Sequence, residues 1–322
     1  MYIEDLKFSL WADFIEREYL DNEFKELIAK GIVNGATSNP AIFKNAILNS
    51  SAYKEQLETL DGLAPKEKYE AVAIYDIRKA ADILKPLFDK NDDGYVSIEV
   101  DPFLCDDAQA TVAEGKRLFA QIARENVMIK VPATEAGYIA MKELTSVGIP
   151  VNATLIFKKD QAVSCANAFN EGVQIFGSKV NTVISVFVSR IDAKLATLGI
   201  NDSLSGIYNS ADIYAAIESM NVNGCRVLFA STGTKDPSLP THYYIEKLLA
   251  YNSVNTAPID TIKAYYKDGG KDKALPIPND VIKAYFEKVE SAGIDFDEVL
   301  NEQISGGLEA FKAAFRDIME SL

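Results

Sequence analysis

The sequence predicts an α/β fold, a (β/α)8 or TIM barrel with additional helices, on three observations. Eight short apolar runs recur between residues 8 and 257, and most are followed by a stretch of helical spacing. Several of these runs are apolar on both faces, as expected of parallel strands covered on each side. None is followed by Gly-x-Gly-x-x-Gly, which disfavours an open doubly wound sheet, the alternative with the same alternation. The 322 residues, 48% hydrophobic and 25% charged, suffice for one barrel, read as a single domain over 1–322.

The elements follow in order. Phe8–Asp13 reads as a first strand ending on a carboxylate, and residues 14–30 have helical spacing (Phe14, Leu20, Phe24, Leu27, Ile28) up to Gly31. Ile32–Thr37 is a second strand, broken by Ser38-Asn39-Pro40. Residues 41–90 carry mostly helical patterning, interrupted near Gly62 and Pro65, and form a helical excursion from the barrel. Tyr95–Asp101 is third, followed by a helix over 107–124 with Asp106 or Asp107 as its cap. Val127–Thr134 is fourth, with a helix over 135–146 ending at Gly148. Pro150–Phe157 is fifth, with a helix over 159–176 ending at Gly177. Val180–Val188 is sixth, with a helix near 210–220. Arg226–Ala230 is seventh, 241–250 is helical, and Val254–Ala257 is eighth. Residues 279–322 form C-terminal helices. The stripe Ile304, Leu308, Phe311, Phe315, Ile318, Leu322 on the last of them is expected to pack on the barrel.

Composition narrows the function. A net charge of −14 with scattered Lys and Arg argues against nucleic acid, which needs a compact basic face. The acidity repels anionic substrates, so a phosphate site needs locally placed cations. No apolar run approaches the ~18 residues of a membrane span, and no secretory leader is evident. Cys105, Cys165 and Cys225 are widely spaced and form no C-x-x-C, which fits a reducing cytoplasm. His242 is the only histidine, so a His-based zinc site lacks ligands. It reads instead as a loop or helix-start residue.

Against this background, polar residues inside or just past apolar strands stand out, because burying them costs energy unless pairing or function compensates. Lys130 interrupts Val127-Met128-Ile129-Lys130-Val131. It reads either as an edge lysine whose stem packs while its ammonium reaches water, or as a buried amine. Burial disfavours the charged form, and a neutral amine attacks a ketone to give a Schiff base. Asp13, Asn39, Glu99, Asn152, Thr154, Ser185 and Arg190 recur likewise on the side of the strands where barrel active sites are built. Asn152 and Thr154 share a strand face, as do Ser97, Glu99 and Asp101. One shared interior site around Lys130 explains them together. Two carboxylates, Asp13 and Glu99, allow separate proton-transfer tasks. Asparagine and serine can read sugar hydroxyls. Arg190 and Lys235 can hold a phosphate, with hydroxyls from Ser231-Thr232-Gly233-Thr234.

These segments carry a resemblance. Thr37–Phe43, Val127–Thr134, Val151–Phe157, Ser185–Asp192 and Ala230–Lys235 resemble the transaldolase family, in order, between Trp11-Ala12-Asp13 and Val254–Pro258. The long connection after the second strand is similar to a bacterial branch of that family. The resemblance implies transfer of a dihydroxyacetone unit from sedoheptulose 7-phosphate or fructose 6-phosphate to glyceraldehyde 3-phosphate or erythrose 4-phosphate. It implies the pentose phosphate pathway in the cytoplasm, with no cofactor or metal, and a monomer or homodimer. Lys130 is then the Schiff-base lysine, and Asp13 the base at the hydroxyl beside the breaking bond. Glu99 and Thr154 work with water in forming and resolving the imine. Asn39, Asn152 and Ser185 hold the dihydroxyacetone part, Arg190 the phosphate, and Lys235 matches a position that is often a cation. Phe229 stands where many relatives carry tryptophan, Ala12 where a larger apolar residue is common, and Gly233 where some carry serine.

Two other functions compete. In fructose-6-phosphate aldolase-like relatives the Glu99 position resembles glutamine and the Phe187 position tyrosine; this chain has the transferase choice at both. A silent sugar-phosphate-binding barrel predicts loss of Lys130 or Asp13, and both are present. Asp89–Gly94 opens like a calcium loop, but the twelfth position is Val100, not glutamate, so it reads as a solvated acidic turn.

Overall fold

A computed structural model describes residues 1–322. Its eight parallel strands close in sequence order into one barrel. They are β1 Ser9–Ala12, β2 Gly35–Thr37, β3 Val96–Glu99, β4 Val127–Pro132, β5 Val151–Ile156, β6 Thr182–Phe187, β7 Cys225–Ala230 and β8 Ser253–Ala257. Each expected strand is present. Most are trimmed at their ends, because ladder pairing stops where the chain turns out of the ring. The third stops at Glu99, and Asp101 instead caps a short 3-10 turn by accepting from Phe103 N at 3.0 Å. Asp101 therefore leaves the face of Ser97 and Glu99 and pairs with Lys66 outside the barrel.

Helices differ from expectation where local pattern is weak. The first is broken at Asn22 into Arg17–Asp21 and Glu23–Ala29. A helix over Ser189–Thr197 precedes Ser205–Met220, so two helices fill the β6–β7 connection. The excursion holds helices over Pro40–Asn49, Lys54–Thr59 and Pro65–Phe88. It is fastened by Arg17, which donates to Asp76 at 3.0 Å and lies 4.6 Å from the Tyr53 and Tyr75 rings.

The N-terminal end of the barrel is plugged. Trp11 pairs with Gly35 in register, and a Cβ on Gly35 would stand 2.6 Å from the indole, so only glycine fits there. The indole N–H donates to Asp93 at 2.8 Å, and Arg226 donates to the same carboxylate at 2.8 Å and 3.2 Å. The acidic turn is thus not wholly solvated: Asp93 is buried as the counter-charge of Arg226. Breaking a buried pair on one side strands the other charge. Asp93→Asn is expected to cost about 3–5 kcal/mol of stability, with the left-handed backbone at Asp93 (φ +70°) still tolerated. Denaturant unfolding measures it, and a loss below about 1 kcal/mol would reduce the pair to a surface-like interaction.

At the opposite end, the Phe296–Ser321 helix crosses the barrel mouth. Val299, Leu300, Phe311, Phe315 and Ile318 are its buried face. Ion pairs Lys158–Asp297, Lys194–Glu302 and Lys44–Asp317, all at 2.6–2.7 Å, hold it at several points. Its close approach depends on Gly307, where a Cβ would meet Leu155 Cδ2 at 2.9 Å. Leu155 has φ +59°, beside a register shift between β5 and β6 that breaks the strand's regular alternation.

Candidate active site

Register brings the acid and the lysine together. Glu99 pairs with Lys130 across β3–β4, and Lys130 with Asn152 across β4–β5, so the three share one row of the ladder. Lys130 Nζ lies 3.8 Å from Glu99 Oε2 and donates to the Ser38 carbonyl at 3.1 Å. Lys130 is 5% exposed and Glu99 8%. Burial pushes the Glu99 carboxyl up to about 7; nearby Lys130 opposes this and Asp13 adds to it. At 3.8 Å the two groups are not hydrogen-bonded, so desolvation outweighs the attraction between them.

The barrel mouth holds a cavity of about 260 Å³. Asp13, Asn39, Lys130, Thr154, Ser185, Phe187, Arg190 and Ser231 line it, so most sequence-derived candidates meet there. Asp13 Oδ1 accepts from Thr37 Oγ1 at 2.6 Å, and Thr37 Oγ1 lies 2.7 Å from Thr256 Oγ1. Asn39 caps the Pro40–Asn49 helix by accepting from Ile42 N at 3.0 Å. Thr154 Oγ1 and Glu99 Oε2 are buried with no hydrogen-bond partner in the protein. Two orphaned polar atoms beside an amine suit a site that handles water or a substrate oxygen.

Arg190 opens the Ser189–Thr197 helix, its guanidinium 5.2 Å from the Phe187 ring centre. Burial lowers its pKa, and Asp13 partly counteracts this. The helix is fixed by Asp192, which accepts from Gly206 N and from the Tyr244 hydroxyl, both at 2.8 Å. Ser231 Oγ lies 3.0 Å from Ser189 Oγ, with its backbone at φ +55°.

Three candidates stand elsewhere. Asn152 lies below the cavity wall, where Nδ2 donates to Ser97 Oγ at 3.0 Å and Oδ1 accepts from Ser185 Oγ at 2.7 Å. Its amide orients Ser185. Glu99 lies behind Lys130 and lines a separate enclosed void of about 10 Å³ with Tyr69 and Lys66. Lys235 is exposed and outside the cavity wall.

Sequence reasoning missed Thr37 and Thr256 as partners of the Asp13 network; their signal was a hydroxyl at the end of an apolar strand. It also missed Ala41, Ile42, Asn45, Ala310 and Phe311, which come from helices outside the barrel. A wider open groove of about 870 Å³ lies on the excursion, but its lining, including Ile47, Leu48, Lys54 and Glu58, lacks a comparable buried amine and acid. No set of three or more His, Cys, Asp or Glu side chains is arranged to hold a metal ion, and no helix is long and apolar enough to cross a membrane.

Comparison with known proteins gives the chain a family. Residues 10–322 match the family described as Transaldolase/Fructose-6-phosphate aldolase. A protein named transaldolase from Campylobacter jejuni (strain RM1221) is 47% identical over 326 residues, covering 98% of this chain and 99% of that protein. Another from Helicobacter pylori (strain Shi470) is 41% identical over 318 residues, with 98% and 99% covered.

Proposed function

The chain belongs to the transaldolase/fructose-6-phosphate aldolase family, and from that premise we propose that it moves a dihydroxyacetone unit between sugar phosphates through an imine on Lys130. The observation that carries this reading is a buried amine 3.8 Å from a carboxyl with its pKa near 7, opening on a cavity lined by a second carboxylate and an arginine.

In this reading Lys130 attacks the ketose carbonyl. Glu99, neutral for part of the time at pH 7, gives a proton as water leaves, and the free hydroxyl of Thr154 helps hold that water. The iminium draws electrons while Asp13 removes the proton from the hydroxyl beside the breaking bond. The aldehyde leaves, the enamine on Lys130 adds to the acceptor as Asp13 returns its proton to the new hydroxyl, and water held by Thr154 then adds to the iminium carbon so that the C–N bond breaks to free the product ketose and the lysine amine. Asn39 and Ser185 face the three-carbon unit, with Asn152 orienting Ser185, and Arg190 takes the phosphate with Ser231 near it. A cytoplasmic setting fits the three free cysteines and phosphorylated substrates.

The test is borohydride reduction with fructose 6-phosphate, read by mass spectrometry. A dihydroxyacetone- or hexose-phosphate adduct is expected on Lys130; one on Lys158 or Lys235 would overturn the assignment. The aldolase-like alternative predicts free dihydroxyacetone as the main product without an acceptor. Glu99, Phe187 and the full-length similarity to proteins named transaldolase favour transfer.

Arg190 gives an independent prediction. Losing a charge-assisted contact to phosphate costs ~1.5–3 kcal/mol, about ten- to over a hundredfold in binding. Arg190→Ala is expected to raise KM for phosphorylated substrates by that factor and to leave unphosphorylated analogues nearly unchanged. Equal losses on both would remove Arg190 from the phosphate site.

A further inference from the structure

The barrel supplies most of the polar wall of the cavity, whereas the covering helices supply most of its apolar surface. Ala41 and Ile42 come from the Pro40–Asn49 helix and Ala310 and Phe311 from the Phe296–Ser321 helix; from the barrel strands come only Phe187 and Ala230. The two covering helices are tied by Lys44–Asp317 at 2.6 Å. Phe311 is 5% exposed, and its ring centre stands 5.8 Å from Lys130 Nζ. Gly307 lets this helix descend onto Leu155, and Arg190 Nη1 lies 3.7 Å from the position a Gly307 Cβ would take. At about 260 Å³ the cavity is just below the ~300–1,000 Å³ usual for small-molecule sites, as expected where a cover closes it down.

We propose that Phe311 determines whether the three-carbon unit held on Lys130 is transferred to an aldehyde or lost to water. The inference rests on the transaldolase reading. Between departure of the first aldehyde and arrival of the second, the enamine waits with its nucleophilic carbon unprotected. Loss follows when that carbon takes a proton from water, the resulting iminium carbon adds hydroxide, and the C–N bond breaks to free dihydroxyacetone and the lysine amine. No oxidant or reductant enters. Hydrolysis of an iminium also frees the normal product, so loss is set apart by the protonation of the enamine carbon, and Phe311 turns an apolar ring to the cavity there, 5.8 Å from Lys130 Nζ. Excluding water from a reactive intermediate is a recognised task of a closed site.

The experiment uses the full chain with fructose 6-phosphate and measures, for each variant, dihydroxyacetone released against product formed with erythrose 4-phosphate. Borohydride trapping runs in parallel. Phe311→Ala is expected to keep the trapped adduct and raise the release-to-transfer ratio by about tenfold or more, while Phe311→Leu, which restores apolar cover, returns it to within about threefold of the parent. Asp317→Ala, at a partly exposed tie between the covering helices, is expected to move the ratio the same way by less, and serves if Phe311→Ala does not fold. An unchanged ratio in Phe311→Ala, or in Asp317→Ala if it alone folds, overturns the proposal, as does Phe311→Leu behaving like alanine. A parent protein that forms no adduct overturns the transaldolase reading itself, and the proposal with it.

Discussion

Lys130→Ala is expected to yield a folded protein that forms no borohydride-trapped adduct and turns over roughly 10⁴- to 10⁶-fold more slowly, the scale of loss when a covalent nucleophile is removed. Folding should survive because the side chain contributes little to the native state. Its amine makes one hydrogen bond, to the Ser38 carbonyl, and sits 3.8 Å from Glu99 without bonding to it. Removing it leaves Glu99 buried without its attractive cation. Glu99 already has a raised pKa, and loss of Lys130 pushes it higher. A carboxyl whose folded pKa lies above its unfolded value stabilises the fold in its neutral form. That contribution is complete below about 4.5 and is lost as pH rises through about 7 in the parent, and at higher pH in the variant. Thermal melts at pH 6 and pH 8 read this directly. A variant that retains the adduct, or that unfolds at pH 6, would remove Lys130 from the centre of the site.

Asp13→Asn and Glu99→Gln should each lose ~10²–10⁴-fold in rate, the usual contribution of a general acid or base, but at different steps. Glu99 pairs with Lys130 in the β3–β4 register, so its proton is available at the amine on which the imine is proposed to form. Asp13 follows β1, three strands away, bonded to Thr37 on β2, which in turn meets Thr256 on β8. In the proposed mechanism it acts from there on the hydroxyl across the breaking carbon–carbon bond. Asp13→Asn is expected to form the ketose imine and then stall, so the intact adduct accumulates. Glu99→Gln should form the adduct slowly and lack the inflection near pH 7 expected of the parent rate profile, because burial raises the Glu99 carboxyl to about 7. Rapid quenching with intact-mass readout separates the two. Should Asp13→Asn block imine formation while Glu99→Gln accumulates intact adduct, the roles are reversed.

The strands were legible because a strand buried on both faces must be apolar throughout, so any polar residue in it is conspicuous. That rule singled out Lys130, Glu99, Thr154 and Ser185 as candidates from one chain. Helix boundaries were less legible. Asn22 breaks a helix whose spacing looks continuous, and Ser189–Thr197 is helical where no long periodic stretch announces it. The acidic turn also misled: Asp93 looks solvated among its neighbours, and only its distant partners Trp11 and Arg226 make it a buried counter-charge.

By itself the sequence determined the barrel and the identity of the chemical groups, because both follow from short apolar runs, alternating with helical spacing, in which single polar residues stand out. Only the tertiary structure decided how those groups divide the space. Asn152 and Thr154 share a face, yet the ring draws Asn152 into bonds with Ser97 and Ser185 and leaves Thr154 unpartnered at the cavity. Phe311 could not have been found from its own helix, where it is one apolar residue in a stripe of six. Its position over Lys130 comes from a contact 181 residues away in the chain, and no local pattern encodes which apolar side chain will land on a distant lysine.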